Sequence, residues 1–134
     1  TDVFSIPSFN QLRREAMEVE RWNRLHPNEP PRVPYVEQLL KDRGPVVAAT
    51  DYMRIVPDQI RQWVRGRYVT LGTDGYGRSD SRAQLRKHFE VDRNHITLAA
   101  LHALAEEGKV DKATVVKAMR ELEIDPAKPD PWKV

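Results

Sequence analysis

Apolar positions fall into two kinds of run. Val46-Val47-Ala48-Ala49-Thr50 and Tyr68-Val69-Thr70-Leu71-Gly72 are short and continuous, with no polar alternation. A strand covered on both faces, as in a parallel sheet, reads this way. A shorter β-prone run, Val3, Phe4 and Ile6, ends at Pro7 and gives a third candidate strand. Elsewhere the apolar residues repeat at helical spacing. Phe9, Leu12, Ala16, Val19 and Trp22 share one face of a helix that Ser8 caps, with Gln11 completing a capping box. The other face holds Arg13, Arg14, Glu15, Glu18 and Glu20, read as a solvated surface.

Residues 26–34 hold four of the ten prolines, so this stretch is a stiff extended loop. Residues 35–40 form a short candidate helix. Gly44-Pro45 marks the turn into the first apolar run. Met53, Ile55, Ile60, Trp63 and Val64 then predict a helix capped by Asp51, with Pro57 near its first turn and Gly66 at its end. A helix over about residues 81–89 carries Leu85, His88 and Phe89. Asp92 caps the next, with Ile96, Leu98, Ala99, Leu101, Ala103 and Leu104, and Gly108 closes it. Asp111 caps the last, with Val115, Val116, Met119 and Leu122.

This alternation predicts an α/β domain over residues 1–124, a mostly parallel sheet between helices, followed by an irregular tail over residues 125–134. Three strands are few, because sheets average about five or six. The expectation is that polypeptide outside this chain completes the sheet. The start points the same way: Thr1-Asp2-Val3 leads into the apolar alternation without an initiator Met, as in a piece cut from a longer chain.

Composition narrows the function classes. The 134 residues suit one domain, and 40% hydrophobic residues allow a modest core. Twenty-two basic residues against 20 acidic leave a net charge of +2, so the pI of 9.0 does not signal a nucleic-acid binder. Arg13, Arg14, Arg21 and Arg24 beside Trp22 make a basic-aromatic patch, but Glu15, Glu18 and Glu20 interrupt it. The absence of cysteine excludes disulfides, thiolate metal sites and cysteine nucleophiles. No apolar run approaches the ~20 residues that span a bilayer. The reading is a soluble cytoplasmic protein that binds neither membrane nor nucleic acid.

The most informative stretch is the loop from Gly72 to Arg82, which leaves a buried strand and enters a helix. Ligands bind at such places in α/β sheets. Asp74, Gly75, Tyr76, Gly77, Arg78, Asp80 and Arg82 are its candidate residues. Two readings compete. In one, Asp74, Arg78 and Asp80 hold one another in a tight turn that also meets a neighbouring subunit. In the other, a free-standing binding module uses backbone N–H groups with Arg78 and Arg82 to hold an anion. The order G-x-x-G-x-G matches no dinucleotide or P-loop signature, so the structural reading is preferred. His26, His88, His95 and His102 lack metal-ligand spacing, and no Gly-x-Ser-x-Gly is present. No catalytic residue, cofactor ligand or metal ligand is assigned.

Several segments resemble the last domain of the homodimeric bacterial pyruvate dehydrogenase family. They are Glu20-Arg21-Trp22-Asn23-Arg24-Leu25-His26-Pro27, Pro31-Arg32-Val33-Pro34-Tyr35, and Gly44-Pro45-Val46-Val47-Ala48-Ala49-Thr50-Asp51-Tyr52-Met53. Leu71-Gly72-Thr73-Asp74-Gly75-Tyr76-Gly77-Arg78-Ser79-Asp80-Ser81-Arg82 and His88-Phe89-Glu90-Val91-Asp92 continue the match in order. Phe4, Tyr76 and Arg65-Gly66 depart from it. The resemblance implies a transketolase C-terminal-type domain whose first strand and helix precede Thr1. It implies a parent that uses thiamine diphosphate and Mg²⁺ to decarboxylate pyruvate, as a homodimer within a multienzyme complex. There the acetyl group passes to a lipoyl group of dihydrolipoyl acetyltransferase. The family's Gly-Asp-Gly…Asn-Asn cofactor motif is absent, since Asn10, Asn23, Asn28 and Asn94 are never adjacent and Thr73-Asp74-Gly75 echoes only its start. The implied role is support of the dimer and of the cofactor-binding domains, with the 26–34 and 72–82 loops at contacts.

Overall fold

The computed structural model describes all residues, 1–134. Ser8 starts the first helix, α1 (Phe9–Leu25), by accepting a hydrogen bond from the Gln11 backbone N–H at 3.1 Å. That bond satisfies one of the four amides that open every helix, but the return bond from the Gln11 side chain is not made. The next elements are α2 (Tyr35–Leu40), β1 (Val46–Ala49), a one-turn helix α3 (Ile55–Asp58) and a 3-10 turn at Arg61–Trp63. Then come β2 (Tyr68–Leu71), α4 (Arg82–His88), α5 (Arg93–Glu106) and α6 (Lys112–Glu121), and a 3-10 turn at Pro131–Lys133.

β1 and β2 pair in parallel, Val46 opposite Tyr68 and Ala49 opposite Leu71. The α/β expectation holds, with a parallel sheet reduced to two strands. Side chains alternate across a strand, so each face of the pair collects half of them. Val46, Ala48 and Tyr68 face a core built with Ala16 of α1, Val36 and Leu40 of α2, and Ile60, Trp63 and Val64. On the other side α5 lies against both strands. Burying a side chain such as Ile60 contributes about 1.5–3 kcal/mol.

Four expectations need correction. Residues 3–6 form no strand: Val3 is 92% exposed and the segment has no ladder partner. Apolar alternation cannot supply the neighbour a strand needs. The helix expected from Asp51 breaks in two, forming only Ile55–Asp58 and a 3-10 turn, because the backbone leaves regular helical geometry at Ile60, with φ −100° and ψ 0°. Asp51 caps neither piece. Asp111 stands at the start of α6 without a side-chain cap bond. Finally, the charged face of α1 is partly used in packing. Glu15 accepts from the Tyr35 N–H at 3.0 Å, and Glu20 accepts from Trp63 Nε1 at 3.0 Å and from Gln62 at 2.9 Å. Two carboxylates thereby anchor α2 and the 3-10 turn to α1.

Candidate functional site

The loops leaving β1 and β2 lie side by side at the carboxyl ends of the strands. The Thr73 N–H donates to the Tyr52 carbonyl at 2.9 Å, and its hydroxyl donates to the Asp51 carbonyl at 2.6 Å. The Arg54 N–H donates to Asp74 Oδ1 at 3.1 Å. Gly72 is required at this crossing. A Cβ there would stand 2.7 Å from the Tyr52 oxygen and 2.8 Å from the Arg54 nitrogen, both backbone atoms.

The candidate loop residues do not form the mutual cluster expected of them. Asp74 serves the β1 loop. Asp80 accepts from the Ser81 N–H at 2.7 Å, fixing the entry to α4. Arg78 meets neither; its guanidinium donates to the His88 ring at 3.2 Å. Asp51, rather than capping a helix, faces Arg86 at 3.2 Å and Arg82 at 4.0 Å. Tyr76 stands 81% exposed at the loop tip. Gly75 adopts φ +106°, and the carbonyl of Pro131 sits 2.8 Å from where its Cβ would be. Gly77 has open space around it.

That last contact brings in residues the sequence reading passed over. The tail, expected to be irregular, carries a 3-10 turn started by Asp130, whose carboxylate accepts from the Trp132 N–H at 3.0 Å. Lys128 reaches back to the His88 carbonyl at 2.7 Å and Glu90 at 3.1 Å. A lysine in a proline-rich tail gives no signal of a target 40 residues upstream.

His88 titrates below its ordinary value of 6.5. Burial lowers it first, and the Arg78 and Lys128 charges add to that against the opposing Glu90 carboxylate. Asp92 caps α5 through the His95 N–H at 3.0 Å and meets His95 Nδ1 at 2.6 Å. Its burial alone would raise the pKa, but the bonds from His95 outweigh this and hold the group below its ordinary 3.8.

The Gly-Asp-Gly…Asn-Asn motif that the resemblance associates with thiamine diphosphate and Mg²⁺ does not occur in this chain. No three or more His, Asp or Glu side chains are placed to hold a metal ion. Asp74 and Asp80 are spent on backbone N–H groups, and Asp51 on two arginines. The charged loop side chains are suited to holding the fold's loops together and presenting cations to solvent.

A parallel strand pair with helices on both sides defines an α/β layer domain. A model of the family described as the transketolase-like TK C-terminal domain matches residues 1–92, and the chain belongs to that family. Curated relatives that it resembles carry the name pyruvate dehydrogenase E1 component. The relative from Pseudomonas aeruginosa is 55% identical over 132 residues, covering 97% of this chain and 15% of its own length. Those from Cupriavidus necator and Escherichia coli are 53% and 49% identical, over 100% and 98% of this chain and again 15% of their own lengths. This chain therefore spans 15% of the length of the relatives it matches. No helix is long and apolar enough to cross a membrane.

Proposed function

We propose that this chain is the supporting C-terminal domain of a thiamine diphosphate-dependent pyruvate dehydrogenase component, and that it takes no chemical part in the reaction. The parent, a homodimer in the cytoplasm, decarboxylates pyruvate and reductively acetylates the lipoyl group of dihydrolipoyl acetyltransferase within the multienzyme complex. The cofactor and Mg²⁺ are held by the rest of the polypeptide. The observation that carries this reading is a pairing of likeness and lack. The whole chain aligns with a pyruvate dehydrogenase component, yet it lacks the Gly-Asp-Gly…Asn-Asn motif that the resemblance assigns to the cofactor site.

The surface supports a packing role. Tyr52, at 72% exposure, Met53, Ile55, Tyr76 and Trp132 stand open on the β1 loop and its neighbours, the 72–80 loop and the tail. Exposed apolar side chains gathered in one region mark contact surfaces. We assign this region to contact with other domains of the same polypeptide or of the dimer partner.

The test uses the full-length protein with Ile55→Ser and Tyr76→Ser. Both side chains are already exposed in this domain, so the isolated chain should unfold at an unchanged temperature while the full-length dimer weakens in sedimentation velocity. Full-length variants that assemble and melt like wild type would count against the assignment.

A further inference from the structure

Arg78 is a cation without a carboxylate. The acids nearest in sequence, Asp74 and Asp80, are taken by backbone N–H groups, and its one side-chain contact is the half-buried imidazole of His88. The bond to His88 leaves the guanidinium charge without a counter-ion, and an anion from solution would supply one. Arg78 lines a cleft of about 260 Å³ together with Lys87, Lys128, His88, Asp80 and Gln84. Lys87 makes no ion pair, whereas Lys128 meets Glu90 at 3.1 Å. The neighbouring cleft, which Arg78 also lines beside Arg82 and Arg86, already holds a carboxylate, Asp51, that meets both of those arginines.

We propose that the cleft bounded by Arg78, Lys87 and Lys128 binds the phosphoryl group of a small ligand. A phosphate offers several charged acceptor oxygens at once, so it can meet three donors from three directions. The guanidinium of Arg78 supplies paired N–H groups, and the two lysines supply point charges. Asp80 is turned to the Ser81 N–H and closes the start of α4. This site goes beyond the supporting role and does not depend on it.

His88 is the reporter. The groups that face it are Arg78 and Lys128, which hold its charge down, and Glu90, which opposes them. A bound phosphate dianion adds negative charge beside the ring and moves its titration upward. The experiment follows the His88 imidazole by NMR in the 134-residue chain, against inorganic phosphate in one series and glycerol 3-phosphate in another, with calorimetry for affinity. Saturable binding with an upward shift of the His88 midpoint is expected. Tighter binding of the ester identifies a phosphorylated metabolite; equal or tighter binding of the free ion identifies phosphate itself. Arg78→Gln and Lys87→Gln, both at exposed positions, should each weaken binding about tenfold or more. Lys117→Gln, on the exposed face of α6, should leave it unchanged. Absence of saturation, an unmoved His88, or equal loss in all three variants would overturn the proposal.

Discussion

The side-chain amide of Asn23 makes both backbone hydrogen bonds of Arg32, donating to its carbonyl at 3.0 Å and accepting from its N–H at 2.8 Å. One residue of α1 thus takes the place of a strand neighbour for the proline-rich loop. The guanidinium of Arg32 lies 3.6 Å from the Trp22 ring centre, and His26 stacks on the same indole at 4.3 Å. A loop with four prolines has few amides of its own, so anchoring from outside decides its path.

Asn23→Ala removes both bonds. It should cost about 1–3 kcal/mol by urea unfolding, twice a typical net hydrogen bond. It should also raise the rate of protease cleavage within residues 26–34. Cleavage and unfolding at wild-type values would show that the prolines alone hold the loop.

Gly75 and Gly77 separate conformational need from mere flexibility. Gly75→Ala sets a Cβ against the Pro131 carbonyl at a positive φ and should destabilise by about 1–3 kcal/mol. The tail should come away with it, visible as a change in Trp132 emission. Gly77→Ala meets nothing within 4 Å and should change thermal unfolding little.

The interior gives a third test. Tyr68 donates its buried hydroxyl to the Pro57 carbonyl at 2.7 Å. Burial and, after it, the Asp58 carboxylate push this phenol well above the usual tyrosine range. Tyr68→Phe leaves the carbonyl bare and should cost about 1–3 kcal/mol in chemical denaturation. Ultraviolet titration of the folded protein should show one tyrosine that ionises only on alkaline unfolding.

Asp92 provides a pH signature. Its native pKa lies below the unfolded one, so the native state prefers the ionised form. That contribution is complete above about pH 4 and fades as pH falls through the native value. Asp92→Ala should therefore cost about 0.5–2 kcal/mol at pH 7, the usual worth of an N-cap. The gap should narrow toward pH 3 in urea titrations. A gap independent of pH would mean that the carboxylate charge has no part in the cap.

These residues also show what the sequence could convey. Ser8 and Asp92 were readable as caps because a cap bonds three residues ahead, within the span a motif covers. The β1 and β2 runs were readable because their apolar content demands cover on both faces. Val3, Phe4 and Ile6 carry the same content, but pairing depends on a neighbour that local pattern cannot name. The links from Asp51 to Arg86, Lys128 to His88 and Gly75 to Pro131 join residues 35 to 56 positions apart. No spacing rule connects them. The candidate loop was legible from its place after a buried strand, while the partners of its charges emerged only from the fold.

Calorimetric titration of thiamine diphosphate with Mg²⁺ into the folded 134-residue chain, beside the same titration of the full-length parent, bears most directly on the supporting role. The parent should bind with a saturable heat and this chain should give only the heat of dilution. Saturable uptake of the cofactor by the chain alone would contradict the account.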